Sequence, residues 1–589
     1  MTKNICLVLS GLENICNSDD SNSYMIFGKW MSLIPDKIPN KKIIYFKPSE
    51  EMPSEILKQQ KYISDIYTSF LGKLADILNE YHSEDMSVRQ WEIIIGPWLK
   101  LYIDTLFVRW KLLRSALSQS PKTVCILDTK GVKKIPTPVS RDDFSYLLNN
   151  NVFWNQFILS EALVSTRENT IADVETNPIK QYTEKSLPKV KSLRGRIKAF
   201  VRNRLKCFLE LTSRSLSSKN SIVISTPYIN IKNQLKISFH LRSIPVFYFN
   251  KKYHSNCLYV DLSKRGILKS VQNCCDDSFS DFAGRMIHTQ LPTCYFEEWE
   301  HLKDQKEKLK LPKSVKLIYT GSSSASDESF RLYIARQIAL GTRYVISQHG
   351  GVYGVSLIPP KAEFYEHRVV DRWISWGWSY SEKKVLRGLN TKMLSHTYTH
   401  NSYGEKLLLA LPNIEYSPSR IVYSDPQTII NIHLSVLSGL DVGVASATII
   451  RPTPTQRHKS FLKVFSERFE ISNKNSFWKD INRSKLFLCT SNSTTLLEAL
   501  AANIPTIILL GHTEGLIRPE AEEYYDALEK VGILFKDPVL AASQINKIWS
   551  DVDTWWLSDD VQNARDRFCK QYSNLMDNGT KYLAACINA

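Results

Sequence analysis

Short runs of β-branched and aromatic residues alternate with helix-patterned stretches through both halves of this chain. Strand-like runs occupy Ile5–Leu9, Ile43–Phe46, Val124–Leu127, Ile222–Ser225, Val246–Phe249, Val315–Thr320, Arg343–Gln348 and Trp373–Trp376. A second set occupies Lys406–Ala410, Gly443–Ile450, Lys485–Cys489, Thr506–Leu510 and Gly532–Phe535, with helix patterns at Pro426–Leu440, Glu520–Lys530 and Pro538–Trp549. Parallel strands need a long crossover, usually a helix, so this alternation predicts α/β architecture with parallel sheets covered on both faces. The periodicity lapses around Ser381–Glu405, where polar residues dominate. We therefore expect two doubly wound domains, 1–385 and 400–560. A basic helical insert at about 145–215 interrupts the first, and a C-terminal helix, 561–589, is expected to pack back on it.

At 589 residues the chain is long enough for two or three cored domains. No apolar run approaches the ~20 residues of a membrane span, and the apolar part of MTKNICLVLSGLENIC is too short for a secretory signal. The eleven cysteines are scattered, with only Cys274 and Cys275 adjacent and no CxxC pair. That usage suits a reduced, cytoplasmic setting and argues against a disulfide frame or zinc site. The net charge of +17 is uneven: Lys185 to Lys219 holds eleven Lys and Arg against one acid, Glu210, or +10. Within it Leu193, Ile197, Phe200, Val201, Leu205 and Phe208 recur at helical spacing among the cations. Such a helix either packs on the body by its apolar stripe or lies on an anionic membrane surface, here the inner face of the inner membrane. No nucleic-acid motif accompanies the charge.

The most informative stretch is Lys485 to Pro505, KLFLCTSNSTTLLEALAANIP. A buried strand leads into a turn crowded with hydroxyls, and a helix then starts near Thr494 and carries Glu498. Free N–H groups and the positive dipole end make such a turn an anion site, with Ser491, Asn492, Ser493 and Thr494 as candidate donors to a phosphate. Ordinary helix capping explains the same hydroxyls. A second signal, Gln348-His349-Gly350-Gly351-Val352-Tyr353-Gly354, leaves the carboxyl end of a strand. Its glycines permit close backbone approach, and His349 there suits phosphate binding or acid–base work. Upstream, Tyr319 to Glu328 repeats the strand, hydroxyl turn and helix. Asp327 and Glu328 are either capping residues or a general base for an acceptor hydroxyl. Arg451 ends a strand and suits bidentate phosphate binding, and His512 ends the strand beside the hydroxyl turn. Asp551-Val552-Asp553 has the letters of a metal-binding DxD but lies before Trp555-Trp556, not at a strand end, and reads as structural. Nothing here requires a metal or other cofactor. Two doubly wound domains in tandem form a cleft between their strand ends, the GT-B arrangement of glycosyltransferases and also of unrelated enzymes.

Arg89-x-Trp91 with Gly96-Pro97-Trp98-Leu99, the QHGGVYG segment, Asp371-Arg372-Trp373-Ile374-Ser375-Trp376-Gly377-Trp378 and TSNSTTLLEALAANIP occur together in this order. The combination resembles a family of transferases from bacterial O-antigen and capsule gene clusters. The resemblance implies a GT-B glycosyltransferase, related to those that transfer Kdo and nonulosonic acids such as pseudaminic acid from CMP donors. It implies that Glu498 binds the donor ribose, that Ser491 and Ser493 hold its phosphate, and that His349 is the most distinctive position. Where many relatives have Arg-x-His-Pro, this chain has Arg451-Pro452-Thr453-Pro454, leaving phosphate binding there to Arg451 alone. The implied partners are a nucleotide-sugar and a glycan or lipid-linked acceptor. A CMP-Kdo transferase or CDP-alditol phosphotransferase, and a non-catalytic scaffold of polysaccharide assembly, are the alternatives. Retention by front-face or double displacement is left open.

Overall fold

The computed structural model describes residues 5–8, 23–26, 43–45, 51–119, 136–165, 193–257, 259–274, 278–380, 383–395, 404–412, 419–422, 426–453, 459–472, 476–511 and 516–589. Three short strands, β1 (Ile5–Val8), β2 (Ser23–Ile26) and β3 (Ile43–Tyr45), form a parallel sheet of their own. The next sheet contains β4 (Ile222–Ser225), β5 (Pro245–Phe247), β6 (Leu317–Thr320), β7 (Arg343–Ser347), β8 (Arg372–Ile374) and β9 (Val385–Leu386). Its order is β5-β4-β6-β7-β8-β9, parallel throughout. The last contains β10 (Lys406–Ala410), β11 (Thr448–Arg451), β12 (Glu470–Ile471), β13 (Ser484–Cys489), β14 (Thr506–Leu509) and β15 (Leu534–Phe535). Its order is β12-β11-β10-β13-β14-β15, again parallel. The α/β expectation of two doubly wound parallel sheets holds, and the arrangement is GT-B-like.

Both sheets are buried on two faces, as parallel sheets must be. Leu407, Leu409, Leu486, Leu488, Ile507 and Leu509 meet Val436, Ala541 and Ile545 on one side of the last sheet. Leu408, Phe487 and Ile508 point the other way, into a core that is continuous with that of the first domain. Ile222, Ile224, Leu317, Val345 and Ile374 pack against Leu583, Ala584 and Ile587 of the helix Gly579–Asn588. The end of the chain therefore covers the first domain's sheet.

The sequence reading differs from the structure in three places. The first six-stranded sheet begins only at β4, and β1 and β3 belong to the separate small sheet. Ahead of β4 come two long helices, Pro53–His82 and Val88–Gln119, the second with Pro97 inside it. Gly443–Ile450, expected as strand, is the helix Val442–Ser446 followed by β11. Its mixture of valines, alanines and glycine satisfies both periods over so short a run. The expected strand Val124–Leu127 lies outside the described residues.

Candidate functional site

In open parallel sheets, ligands bind beyond the carboxyl ends of the strands, where the chain reverses its direction of winding. The first six-stranded sheet switches between β4 and β6, and the second between β10 and β13. Thr226 and Tyr228 follow β4, while Gly321 and Ser322 follow β6. The Tyr228 hydroxyl lies 3.3 Å from Ser322 Oγ, and a Cβ on Gly321 would stand 3.1 Å from Thr226 Oγ1. His349 follows the neighbouring β7, and its ring lies 3° from parallel to that of Tyr228, the centres 6.2 Å apart.

Two groups hold the His349 imidazole. Its Nε2 donates to Glu366 Oε1 at 2.7 Å, and the Tyr353 hydroxyl stands 2.9 Å from the same nitrogen. Glu366 is buried and also accepts from Trp373 Nε1 at 3.1 Å. A carboxylate only accepts, so Nε2 carries a proton toward Glu366. A histidine with a carboxylate behind it is the arrangement of an oriented acid–base group.

Across the cleft, β13 runs into the turn Thr490–Asn492 and the helix Thr494–Ala501. Ser493 is the N-cap: its Oγ accepts from Leu496 N at 3.4 Å and sits 2.8 Å from Thr495 Oγ1. Ser491 and Thr494 are half-buried beside it. The two domains touch at this point. A Cβ on Gly351 would lie 2.3 Å from the Ser493 carbonyl carbon and 2.5 Å from Thr494 N. A second tie follows: Leu357 N donates to Leu516 O and Arg518 N to Val355 O, both at 2.9 Å. Gly354 turns the loop at φ +72°, where a side chain would strike Trp378.

Glu498 lies further along the same helix, largely buried, and ion-pairs with Lys392 Nζ at 3.1 Å. That ammonium also lies 5.4 Å from the centre of the Tyr228 ring. His349, Tyr228, Lys392 and Glu498 thus form one row from the first domain to the second. Beneath the turn, the buried His433 donates from Nδ1 to Ile429 O at 2.6 Å and sets Nε2 2.9 Å from Thr490 Oγ1. Burial pushes its pKa down to about 4.

The structure removes five expected residues from the cleft. Asp327 is a buried N-cap that accepts from Phe330 N at 3.0 Å, and from the Tyr248 hydroxyl and Lys251 N at 2.6 Å each. Burial holds its carboxyl above the usual range. Glu328 is paired with the buried Arg331 and accepts from the Tyr295 hydroxyl at 2.7 Å and Arg141 N at 3.0 Å. A general base needs an oxygen open to an acceptor, and these two acids spend theirs inside the protein. Gln348 is buried, with Oε1 accepting from Trp376 N and Trp378 Nε1 at 2.9 Å and Nε2 donating to Gly350 O at 2.8 Å, so it pins the loop. Asn492 is buried and accepts from the Tyr525 hydroxyl at 2.7 Å. Arg451 is paired with the fully buried Asp480, which also takes the Ser472 hydroxyl at 2.6 Å. A phosphate at Arg451 would have to displace that pair.

Gly350 stays in the loop beside Tyr353, and His512 lies outside the described residues. Asp551 caps the helix Val552–Trp556, accepting from Thr554 N at 3.0 Å. Among the described residues, no group of three or more His, Cys, Asp or Glu could hold a metal ion. Three residues of the site escaped the sequence reading: Tyr228, Lys392 and Glu366. Tyr228 had a usable signal, since it follows a strand end. Lys392 and Glu366 reach the site only through tertiary packing.

The family model described as LIC12162 family transferase matches residues 5–587. No protein of curated function matches the chain. Among solved structures, a spinosyn rhamnosyltransferase complexed with spinosyn aglycone aligns at 8% identity and TM-score 0.33, over 63% of this chain and 100% of that one. MurG from Acinetobacter baumannii aligns at 11% identity and TM-score 0.30, over 63% and 99%. Likenesses this distant say nothing of substrate.

Proposed function

The chain belongs to the LIC12162 family of transferases, and we propose that it is a glycosyltransferase of surface-polysaccharide assembly that moves a nonulosonic acid from a CMP-sugar to a glycan acceptor. The observation that carries this is the row joining His349, on the first domain, to Glu498, on the helix behind the hydroxyl turn of the second. Support for the sugar class comes from the sequence resemblance to nonulosonate and Kdo transferases. Glu498 takes the ribose hydroxyls, while Ser491, Ser493, Thr494 and the helix N-terminus face the phosphate. His349, held by Glu366, takes the proton of the acceptor hydroxyl as its oxygen bonds the anomeric carbon. The bond from that carbon to the phosphate oxygen breaks, its electron pair leaves with CMP, and donors aimed there lower the barrier.

Purified protein tested with CMP-sialate, CMP-pseudaminate, CMP-legionaminate and CMP-Kdo should release CMP from at least one of them. His349→Ala should lower kcat about a hundredfold, and Glu498→Ala should mainly raise the donor KM, about tenfold. Absence of binding and turnover across the panel would contradict the proposal. A product that keeps the donor phosphorus would mark a CDP-alditol phosphotransferase instead.

The basic helix Leu193–Ser215 bears on where the acceptor is met. Glu210 anchors its end, accepting from Phe249 N and Lys251 Nζ at 3.1 Å. Leu205, Phe208 and Leu211 are 54%, 62% and 53% exposed. An apolar stripe among cations suits an anionic lipid surface, and no helix among the described residues is long and apolar enough to cross a membrane. The proposal includes docking of this helix on the membrane that carries a lipid-linked acceptor. Sedimentation with phosphatidylglycerol vesicles should exceed that with phosphatidylcholine and fall in Phe208→Asp. Equal sedimentation with both lipids would contradict docking.

A further inference from the structure

Lys392 is the one cation in the row between the two proposed working groups, and no motif marked it. Two other cations near the site are committed within their surroundings. Arg451 is held by Asp480, and Arg518 by Glu363 at 2.9 Å and the Ser356 carbonyl at 3.2 Å. Lys392 has a different setting. Its backbone is fixed: Lys392 N donates to Asn390 Oδ1 at 3.1 Å, Asn390 Nδ2 to Ser573 Oγ at 2.9 Å, and Ser573 Oγ to Leu497 O at 3.0 Å. The turn is thus tied to the helix that carries Glu498. Its side chain, 27% exposed, runs past the face of Tyr228 to the Glu498 carboxylate. An ammonium has three N–H donors, and one bond to Glu498 leaves two for a ligand.

Charge balance says which ligand. Lys392 and Glu498 neutralise each other. A nucleotide brings at least one further negative charge next to Glu498, and a poorly solvated anion there needs a cation. Five residues of helix separate Ser493 from Glu498, about 7.5 Å at 1.5 Å per residue. A ligand with hydroxyls on Glu498 and an anion about one nucleoside away meets the ammonium paired with that carboxylate.

Resting on the glycosyltransferase reading, we infer that Lys392 binds the 5′-phosphate of the nucleotide donor. It bridges that phosphate to Glu498, with Tyr228 steering its stem. The segment between the two domains thereby supplies the counter-ion for a nucleotide bound by the second.

The test is calorimetric titration with cytidine, uridine and thymidine and with their 5′-mono- and diphosphates, on the full chain. Lys392→Met keeps the stem and removes the charge, while Lys392→Arg restores the charge. Wild-type protein should bind a nucleotide more tightly than its nucleoside. Lys392→Met should lose about tenfold or more in nucleotide affinity, with nucleoside affinity unchanged and partial recovery in Lys392→Arg. Equal nucleotide affinity in wild type and Lys392→Met would overturn the inference and leave the glycosyltransferase reading standing. A parallel loss for nucleoside and nucleotide would also overturn it, by showing a structural role. Absence of nucleotide binding to wild type would overturn the underlying reading, and the inference with it.

Discussion

Two turns in this molecule share one local design and differ in what packs over them. Both follow a buried parallel strand, β6 or β13, carry several hydroxyls, and lead through a capped start into a helix. The first is sealed. Tyr248 and Lys251, beyond β5, take Asp327, while Arg331, Tyr295 and Arg141 take Glu328. The second is met by Gly351, which has no side chain, and its acid, Glu498, pairs with Lys392 of the segment between the domains. The difference lies in what packs over the helix start. A strand, hydroxyls and a helix N-terminus specify a place where an anion could go. The neighbouring elements decide whether protein groups already fill it.

Breaking the sealed turn should cost stability most. Glu328→Ala leaves Arg331 buried without its carboxylate and should destabilise by about 3–5 kcal/mol in denaturant titration, with nucleotide affinity unchanged. A selective loss of nucleotide affinity would put Glu328 back in the site.

The open turn rests on His433, whose pKa burial lowers from 6.5 to about 4. The unfolded chain takes up this proton near pH 6.5 and the folded chain does not. Its contribution is therefore full above pH 6.5 and is lost as pH falls toward 4, at most about 3 kcal/mol. His433→Gln should flatten that part of the stability profile. An unchanged profile would show that His433 charges freely in the fold.

Gly351→Ala puts a methyl carbon against the Ser493 backbone and must spread the two domains. A shift of about 1 Å at the cleft should cost about a hundredfold in turnover. Activity within twofold of wild type would mean that the contact is loose. The smallest effect is expected at the sealed cap: Asp327→Ala loses three accepted bonds, about 2 kcal/mol of stability. A fall in kcat beyond the folded fraction would contradict its capping role.

Much of the open turn was legible in the sequence because its determinants are local. The apolar run Lys485–Cys489 lies within β13 as Ser484–Cys489, and the helix begins at Thr494 behind a serine cap. Strand–helix alternation likewise marked both six-stranded sheets. What was not legible depends on residues far apart in sequence. Sealing of Asp327 comes from Tyr248, and the charge opposite Glu498 comes from Lys392 in a polar stretch without periodicity. The tryptophans of the DRWISWGW segment, Trp373, Trp376 and Trp378, are core residues. Arg89 of the other tryptophan motif reaches Asp371 at 2.9 Å. The tryptophan motifs therefore hold the first domain together, and the proposed chemistry sits on the His349 loop, the hydroxyl turn and Lys392.

The central claim is that the open turn, and not the sealed one, holds the nucleotide. Titration of CMP into wild type, Glu498→Ala and Asp327→Ala, each at matched folded fraction, tests it most directly. About tenfold weaker binding in Glu498→Ala with wild-type affinity in Asp327→Ala is the predicted result. Wild-type affinity in Glu498→Ala, or loss in Asp327→Ala alone, would contradict the account.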